Sequence, residues 1–277
     1  MGKIKMIGLD LDGTVFNDNK EISEENKAAI REAVAQGIIV LPATGRPLRG
    51  LPKAMLEIEG IHYAVTSNGG AVYDLDSRKA IYEDCIPNEE AKQLVSVLNA
   101  VDGLVEVYID GVCYAQQSRL EHALTYPLSK PFLEYIWKSR ERQEDLEAFL
   151  TADGGNVQKM HLLFGSTKER QRAFEMIAPY EADLAVTSAM SLNIEINKKS
   201  ADKGNGLIAL GKILGIQKEE IMACGDAGND LAMMQKVGFA VAMGNAEPEI
   251  KAAADYVTLT NEENGVAYAI RKFALNS

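Results

Sequence analysis

The chain has 277 residues, 47% apolar and 25% charged, with 40 acidic against 29 basic side chains and a net charge of −11. At roughly 100–200 residues per domain this is one large domain or two ordinary ones, with a core large enough to need no disulfide or metal staple. The negative charge argues against nucleic acid or an anionic membrane surface as the main partner, and an anionic substrate would need local positive charge or a metal.

Lys3 to Leu9 is a short apolar run ending in Asp-Leu-Asp-Gly-Thr, the pattern of a buried parallel strand followed by a tight turn. Ser23 opens a helix over 24–36, closed by Gly37. Ile38 to Leu41 is a second buried strand, and Pro47 begins a helix reaching about Ile58. His62 to Thr66 is a third strand, with a hairpin following at 72–73 and 80–82. Beyond about Glu83 the rhythm changes. A helix is expected over 88–100, alternating strands over 104–110 and 112–116, and a charged helix from about Pro131 to Phe149. A strand over 158–164, a helix over 168–178 and a closing strand pair at 184–187 and 191–196 complete this α+β block. The βα rhythm resumes at Asp202, with helices over 203–214, 231–236 and 248–253 and strands over 220–224, 239–242 and 256–259. The last helix is expected over 262–273, with Glu262 and Glu263 in its first turn. The simplest account is a parallel-sheet core of residues 1–83 and 197–277, interrupted by an inserted domain at 84–196.

Cys85, Cys113 and Cys224 are far apart, and no CxxC pair exists, so neither a zinc site nor a disulfide framework is supported. Reduced thiols are expected. The start lacks a signal-peptide pattern, and the longest apolar run, Gly37 to Ala43, is far below the roughly 18 residues of a membrane span. A soluble, cytoplasmic protein is expected.

The chemistry-bearing residues follow the strands. Asp10 and Asp12 come after the first, Thr44 after the second and Asn68 after the third. Asp226, Asn229 and Asp230 come after the first strand beyond the insertion. In an open α/β sheet with right-handed crossovers these turns share one edge, where ligands bind. Asp10 and Asp12 are two apart, so extended backbone would aim both carboxylates the same way.

Asp-Leu-Asp-Gly-Thr (10–14), Ala-Thr-Gly-Arg (43–46), Asp-Lys-Gly (202–204) and Gly-Asp-Ala-Gly-Asn-Asp (225–230) resemble, in order, the four motifs of the haloacid dehalogenase-like phosphatases. The placement of the insertion resembles the Cof-type subfamily. The resemblance implies an α/β fold, with a Rossmann-like, mostly parallel sheet core, helices on both its faces and an inserted α+β cap. It also implies a magnesium-dependent phosphatase of small phosphate monoesters, sugar phosphates foremost. Asp10 is then the nucleophile that forms an aspartyl-phosphate, and Asp12 the general acid and base. Mg²⁺ is held by the Asp10 carboxylate, the Asp12 carbonyl and the Asp226 carboxylate, with Asp230 supporting the ion from behind. Thr44, the Gly45 amide, Lys203 and Asn229 bind the phosphoryl oxygens, and Lys203 also holds Asp10 ionised. Arg46 and Asn68 lie one step outward, near the substrate or cap. Thr14 fixes the turn after Asp12.

Two other readings remain open. A sugar phosphomutase uses the same motifs, and a non-catalytic phosphometabolite-binding protein could share the scaffold, although binding alone needs no acid/base residue. The partner in each case is a small phosphorylated metabolite, and the chain a monomer or small homo-oligomer. A calcium loop at Asp10 is excluded because Thr14 and Val15 break its pattern, and Gly206 to Lys212 is no P-loop because Ile213 follows. His62, His122 and His161 are isolated and read as structural. Phe132, Tyr135 and Trp137 read as packing.

Overall fold

The computed structural model describes residues 3–153, 155–188 and 190–275. In chain order its first elements are β1 (Met6–Leu9), α1 (Glu24–Ala35), β2 (Ile39–Pro42), α2 (Lys53–Leu56), β3 (Tyr63–Thr66), β4 (Ala71–Asp74) and β5 (Lys79–Glu83). The middle of the chain holds α3 (Asn88–Leu98), β6 (Gly103–Ile109), β7 (Val112–Gln116), α4 (Gln117–Ala123), α5 (Lys130–Ser139), β8 (Glu141–Gln143), α6 (Leu146–Asp153), β9 (Lys159–Phe164), α7 (Thr167–Ile177), β10 (Leu184–Thr187) and β11 (Asn193–Lys198). The last part holds α8 (Lys203–Leu214), β12 (Ile221–Gly225), α9 (Leu231–Lys236), β13 (Phe239–Ala242), α10 (Pro248–Ala253), β14 (Tyr256–Val257) and α11 (Gly265–Ile270). The chain divides into two compact units. One comprises residues 1–46, 51–83 and 202–277, the other residues 47–50 and 84–201.

The first unit is built on a parallel sheet in the order β14-β13-β12-β1-β2. β1 pairs with β12 on one side (Met6 with Ile221) and β2 on the other (Met6 with Ile39). The crossover from β1 runs to β2 and that from β12 runs the opposite way to β13, so the carboxyl ends of β1 and β12 flank a topological switch point, where open α/β sheets bind ligands. All four β1 residues are buried, as a strand covered on both faces requires. A parallel bridge from Ala43 to Val65 sets β3 beside β2, and β3, β4 and β5 then form an antiparallel sheet. Among the described residues, no helix is long and apolar enough to cross a membrane.

The second unit has a six-stranded sheet, β10-β11-β9-β6-β7-β8, antiparallel except where β7 meets β8. Alternation along the strands splits its residues. Val105, Val107, Met160, Leu162, Ile194 and Ile196 pack with residues of α3, α6 and α7. Leu104 and Leu163, on the opposite face, pack with Leu120 of α4 and Ile136 of α5. That face also carries Glu106, fully buried, whose carboxylate accepts from Arg140 Nε (2.6 Å) and Nη2 (3.1 Å) and meets His161 Nδ1 at 2.7 Å.

Four local expectations are corrected. The helix expected from Pro47 to Ile58 is a 3₁₀ turn at Leu48–Gly50 followed by the single turn of α2. Pro52 disfavours a helical Leu51 before it, so it starts a new helix instead of continuing one. The charged helix expected to Phe149 stops at Ser139, and β8 separates α5 from α6. Arg140 there is extended (φ −97°, ψ 134°), and its guanidinium is taken by Glu106, a tertiary bond outweighing local propensity. α4 was not anticipated. Glu262 and Glu263 precede the last helix, since α11 begins after Asn264 in a left-handed conformation (φ 61°).

Candidate active site

The site grows from the carboxyl ends of β1, β2, β3 and β12. Asp10 follows β1 directly, with its amide donating to Cys224 O at 3.0 Å. Its carboxylate is buried and accepts from Lys203 Nζ at 2.5 Å. Lys203 is the first residue of α8, whose N-cap Asp202 accepts from the Asn205 amide at 2.9 Å. This cap fixes the start of the helix and so the direction of the lysine. The fully buried Lys203 ammonium also reaches Asp230 Oδ1 at 2.8 Å.

Asp230 is wholly engaged. Its other oxygen accepts from the amides of Asp226 (2.9 Å) and Ala227 (3.1 Å), closing the turn after β12. A Cβ on Gly225 would lie 2.6 Å from Asp230 Cγ, so a side chain there would displace that carboxylate. Asp226 accepts from Thr14 Oγ1 at 2.8 Å. Gly13 has φ +85°, and a Cβ on it would collide with the Asp226 carboxylate. Only glycine suits both the turn and that approach.

Asp10, Asp226 and Asp230 bring carboxylate oxygens within 4.8 Å of one another. Three buried or half-buried carboxylates surround one ammonium, and the titration of Asp10 and Asp226 reflects this shortage of positive charge. Burial, outweighing Lys203 and joined by Asp230 and Asp226, pushes the Asp10 carboxyl up to about 8. Burial also pushes Asp226 up to about 6, against the hydrogen bond from Thr14. Lys203 stays charged, because Asp10 and Asp230 outweigh the effect of its burial. An all-oxygen donor set with excess negative charge suits a hard divalent cation such as Mg²⁺, so the residues fit the metal that the motifs imply.

Asp12 departs from expectation. Its side chain does not join this cluster. It is 44% exposed and accepts from Arg46 Nη2 (2.9 Å to Oδ2) and Lys20 Nζ (3.0 Å to Oδ1). The period-two rule fails because β1 ends at Leu9 and the chain turns at Leu11, whose carbonyl takes the amides of Thr14 and Phe16. Burial alone would raise the Asp12 carboxyl, but Arg46 and then Lys20 outweigh it and hold it below the usual carboxylate range.

Thr44, buried after β2, accepts from the Arg46 amide on Oγ1 at 3.3 Å, and its carbonyl accepts from the Asn68 amide at 3.0 Å. The Arg46 carbonyl accepts from the Ser67 amide at 2.9 Å, knitting the turn around half-buried Gly45 to the turn after β3. Asn68 has a left-handed backbone (φ 56°) and is met by Asn229 Nδ2 at 3.4 Å. The anticipated residues thus gather at one sheet edge in two groups. Asp10, Lys203, Asp226 and Asp230 form an inner cluster, while Asp12 and Arg46 pair outside it. Sequence reasoning missed Lys20, which nothing in the residue spacing ties to Asp12. It also missed Asn245, whose Nδ2 donates to Gly13 O at 2.8 Å.

Comparison with known proteins gives the family. The family model described as haloacid dehalogenase-like hydrolase matches residues 7–270. The chain therefore belongs to the haloacid dehalogenase-like hydrolases, and it is an enzyme of the phosphatase kind. It is 32% identical to "Phosphatase YwpJ" of Bacillus subtilis, over 97% of this chain and 99% of that one. It is 33% identical to "5-amino-6-(5-phospho-D-ribitylamino)uracil phosphatase YwtE" of the same organism, over 96% and 97%. Among solved structures it is similar to a haloacid dehalogenase-like hydrolase from Bacteroides thetaiotaomicron, with TM-score 0.81, 31% identity, and 98% and 99% of the two chains covered.

Proposed function

We propose that this chain is a Mg²⁺-dependent phosphatase of small phosphate monoesters, sugar and polyol phosphates foremost, acting through an aspartyl-phosphate on Asp10. The observation that carries the reading is the division of labour between two carboxylates two residues apart. Asp10 is buried against Lys203 beside Asp226 and Asp230, whereas Asp12 is outside that cluster on an exposed edge. In this reading one attacks phosphorus, and the other exchanges a proton with the leaving oxygen and then with water.

In this reading Asp10, the Asp12 carbonyl and Asp226 hold Mg²⁺, and Asp230 orients Asp226 and Lys203 from behind. When bound, the metal neutralises charge at the phosphoryl oxygens and orients them. Lys203 favours the ionised form of Asp10, with the metal supplying the positive charge that the cluster lacks, and faces the same oxygens at the start of a helix, where positive potential adds to its charge. Thr44, the Gly45 amide and Asn229 complete the phosphoryl cradle, with Arg46 and Asn68 toward the substrate. The second unit serves as the cap that selects the leaving group. The sugar or polyol preference is supported by the ribityl phosphate in the name of the relative YwtE. Its placement in the cytoplasm follows the expectation from sequence.

The test is release of inorganic phosphate from a panel of phosphorylated sugars and polyols, with and without Mg²⁺. Asp10→Asn is expected to lose activity by at least about 10³-fold, the scale of a lost nucleophile. Activity that survives both EDTA and Asp10→Asn would sink the mechanism. Isomerised sugar phosphate in place of free phosphate would turn the reading to a mutase.

A further inference from the structure

The short flap after the nucleophile loop, residues 16–22, carries a cation that the motifs do not mark. Phe16 bridges Asp12 on one side and Ile22 on the other, so the chain doubles back over the catalytic turn. The Lys20 amide donates to Asn17 O at 2.9 Å, the Asn17 amide to Glu21 O at 3.0 Å and the Glu21 amide to Asn17 Oδ1 at 2.8 Å. Within this turn Lys20 has a left-handed backbone (φ 63°), which L-residues adopt only when their surroundings impose it.

A side-chain strap from the C-terminal part of the same unit fixes the flap from outside. Asn261 Nδ2 donates to Phe16 O (3.1 Å) and Asp18 Oδ1 (3.2 Å), and Glu262 Oε1 accepts from the Asp18 amide at 2.6 Å. The Asn261 amide donates to Asn245 Oδ1 at 2.9 Å, and Asn245 Nδ2 donates to Gly13 O at 2.8 Å. One chain of hydrogen bonds therefore joins the turn beside Asp12 to the flap that bears Lys20.

The product of this arrangement is an ammonium 3.0 Å from Asp12 Oδ1. Arg46 also reaches both oxygens, Nη2 donating to Oδ2 at 2.9 Å and to Oδ1 at 3.1 Å and Nε to Oδ2 at 3.2 Å. Two of the three Arg46 contacts fall on Oδ2 and one on Oδ1, and Lys20 adds a second cation at Oδ1 from a different segment of chain. An exposed ion pair of this kind adds little to stability, and the flap is held by its own hydrogen bonds without it.

We propose that Lys20 is a positioning residue for Asp12, fixing its carboxylate for proton transfer to the leaving oxygen. This rests on the reading of Asp12 as general acid. In that step Asp12 enters carrying the proton: the Asp10 oxygen bonds to phosphorus, the bond from phosphorus to the leaving oxygen breaks, the proton goes to that oxygen, and the Asp12 carboxylate is left between Arg46 and Lys20. A residue that positions the acid matters where the leaving group needs the proton. Alkyl alcohols need it, and p-nitrophenolate does not.

The experiment compares wild type, Lys20→Met, Lys20→Arg and Asp12→Asn in Mg²⁺, on a sugar phosphate and on p-nitrophenyl phosphate. The readout is kcat/KM, which covers the steps through departure of the leaving group. Lys20→Met is expected to lose about tenfold on the sugar phosphate, less than the full acid/base contribution, and under about twofold on the aryl ester. Lys20→Arg is expected to recover most of the loss, with an unchanged melting temperature in both variants. Equal losses on both substrates, or no loss on either, would overturn the proposal. If Asp12→Asn itself shows no preference for alkyl leaving groups, or wild type acts on neither ester, the reading of Asp12 fails and Lys20 loses its role with it. A selective loss in Asp12→Asn but not in Lys20→Met refutes the role of Lys20 alone.

Discussion

Each unit buries a cluster of charged side chains, and the two clusters differ in balance. In the second unit Glu106 faces the guanidinium of Arg140 and the imidazole of His161, so one carboxylate has two partners. Burial alone would raise the Glu106 carboxyl, but Arg140 and His161 outweigh it and hold it at about 2. In the first unit three carboxylates surround Lys203, and Asp10 moves the other way, up to about 8. Glu106, Arg140 and His161 are buried, as are Asp10, Asp230 and Lys203, with only Asp226 half-buried. The difference lies in the charge count. A buried cluster that neutralises itself is structural, and one that stays short of positive charge is built for a cation and an incoming anion.

The largest expected effects come from removing the cation of one cluster or the anion of the other. Lys203→Met leaves Asp10 and Asp230 buried without a cation, and phosphatase activity should fall by at least about 10³-fold. Glu106→Gln leaves the buried Arg140 without a carboxylate in the second unit and should cost about 3–5 kcal/mol of stability, read by urea denaturation. If Lys203→Met keeps most of its activity, the inner cluster is no more functional than the Glu106 cluster. Acid offers a gentler probe. Glu106 titrates at about 2 in the folded protein, against 4.5 ordinarily. Because the folded value is depressed, its contribution is complete above pH 4.5 and is lost as pH falls toward 2. That contribution is about 3 kcal/mol at about 1.4 kcal/mol per unit. Urea midpoints from pH 6 to pH 2.5 should show the loss in wild type, and Glu106→Gln should lack that portion of it.

Much of the inner cluster was legible in the sequence. A fully buried strand leaves a run such as Met6 to Leu9, and the residues just past its end are placed by topology alone, so Asp10, Thr44 and Asp226 could be gathered without coordinates. The start of α8 at Lys203 was legible too, because Asp202 is a capping residue. What was hidden depends on contacts between distant side chains. Arg140 ends α5 by turning to Glu106, 34 residues earlier. Lys20 reaches Asp12 because the flap folds back, and its neighbours in sequence look like an ordinary polar turn. The separation of Asp12 from Asp10 follows from a turn at Leu11 that alternation cannot anticipate.

Metal binding should separate the clusters at an intermediate scale. If Mg²⁺ binds only the folded inner cluster, saturating it at a hundred times its Kd adds about 2.7 kcal/mol of stability. The shift between EDTA and Mg²⁺ should vanish in Asp226→Asn and persist in Glu106→Gln, by thermal or urea unfolding. A shift that survives Asp226→Asn would place the ion elsewhere.

The smallest effects test whether the clusters differ in their supports as well as their charge. Thr14 Oγ1 donates to Asp226 Oδ1 at 2.8 Å, and Ser139 Oγ accepts from Arg140 Nη1 at 2.8 Å. Each is one hydroxyl beside one charged group, so Thr14→Val and Ser139→Ala should each cost only about 1 kcal/mol of stability. Their consequences for metal should differ. Thr14 orients a carboxylate proposed to hold Mg²⁺, and losing such a partner weakens binding by about tenfold. Ser139 steadies a guanidinium whose charge is already matched, so the Mg²⁺ midpoint for activity should not move. A midpoint that shifts in both variants would mean that the two units answer to the metal together. If it shifts in neither, Asp226 needs no orientation by Thr14, and the contrast rests on charge alone.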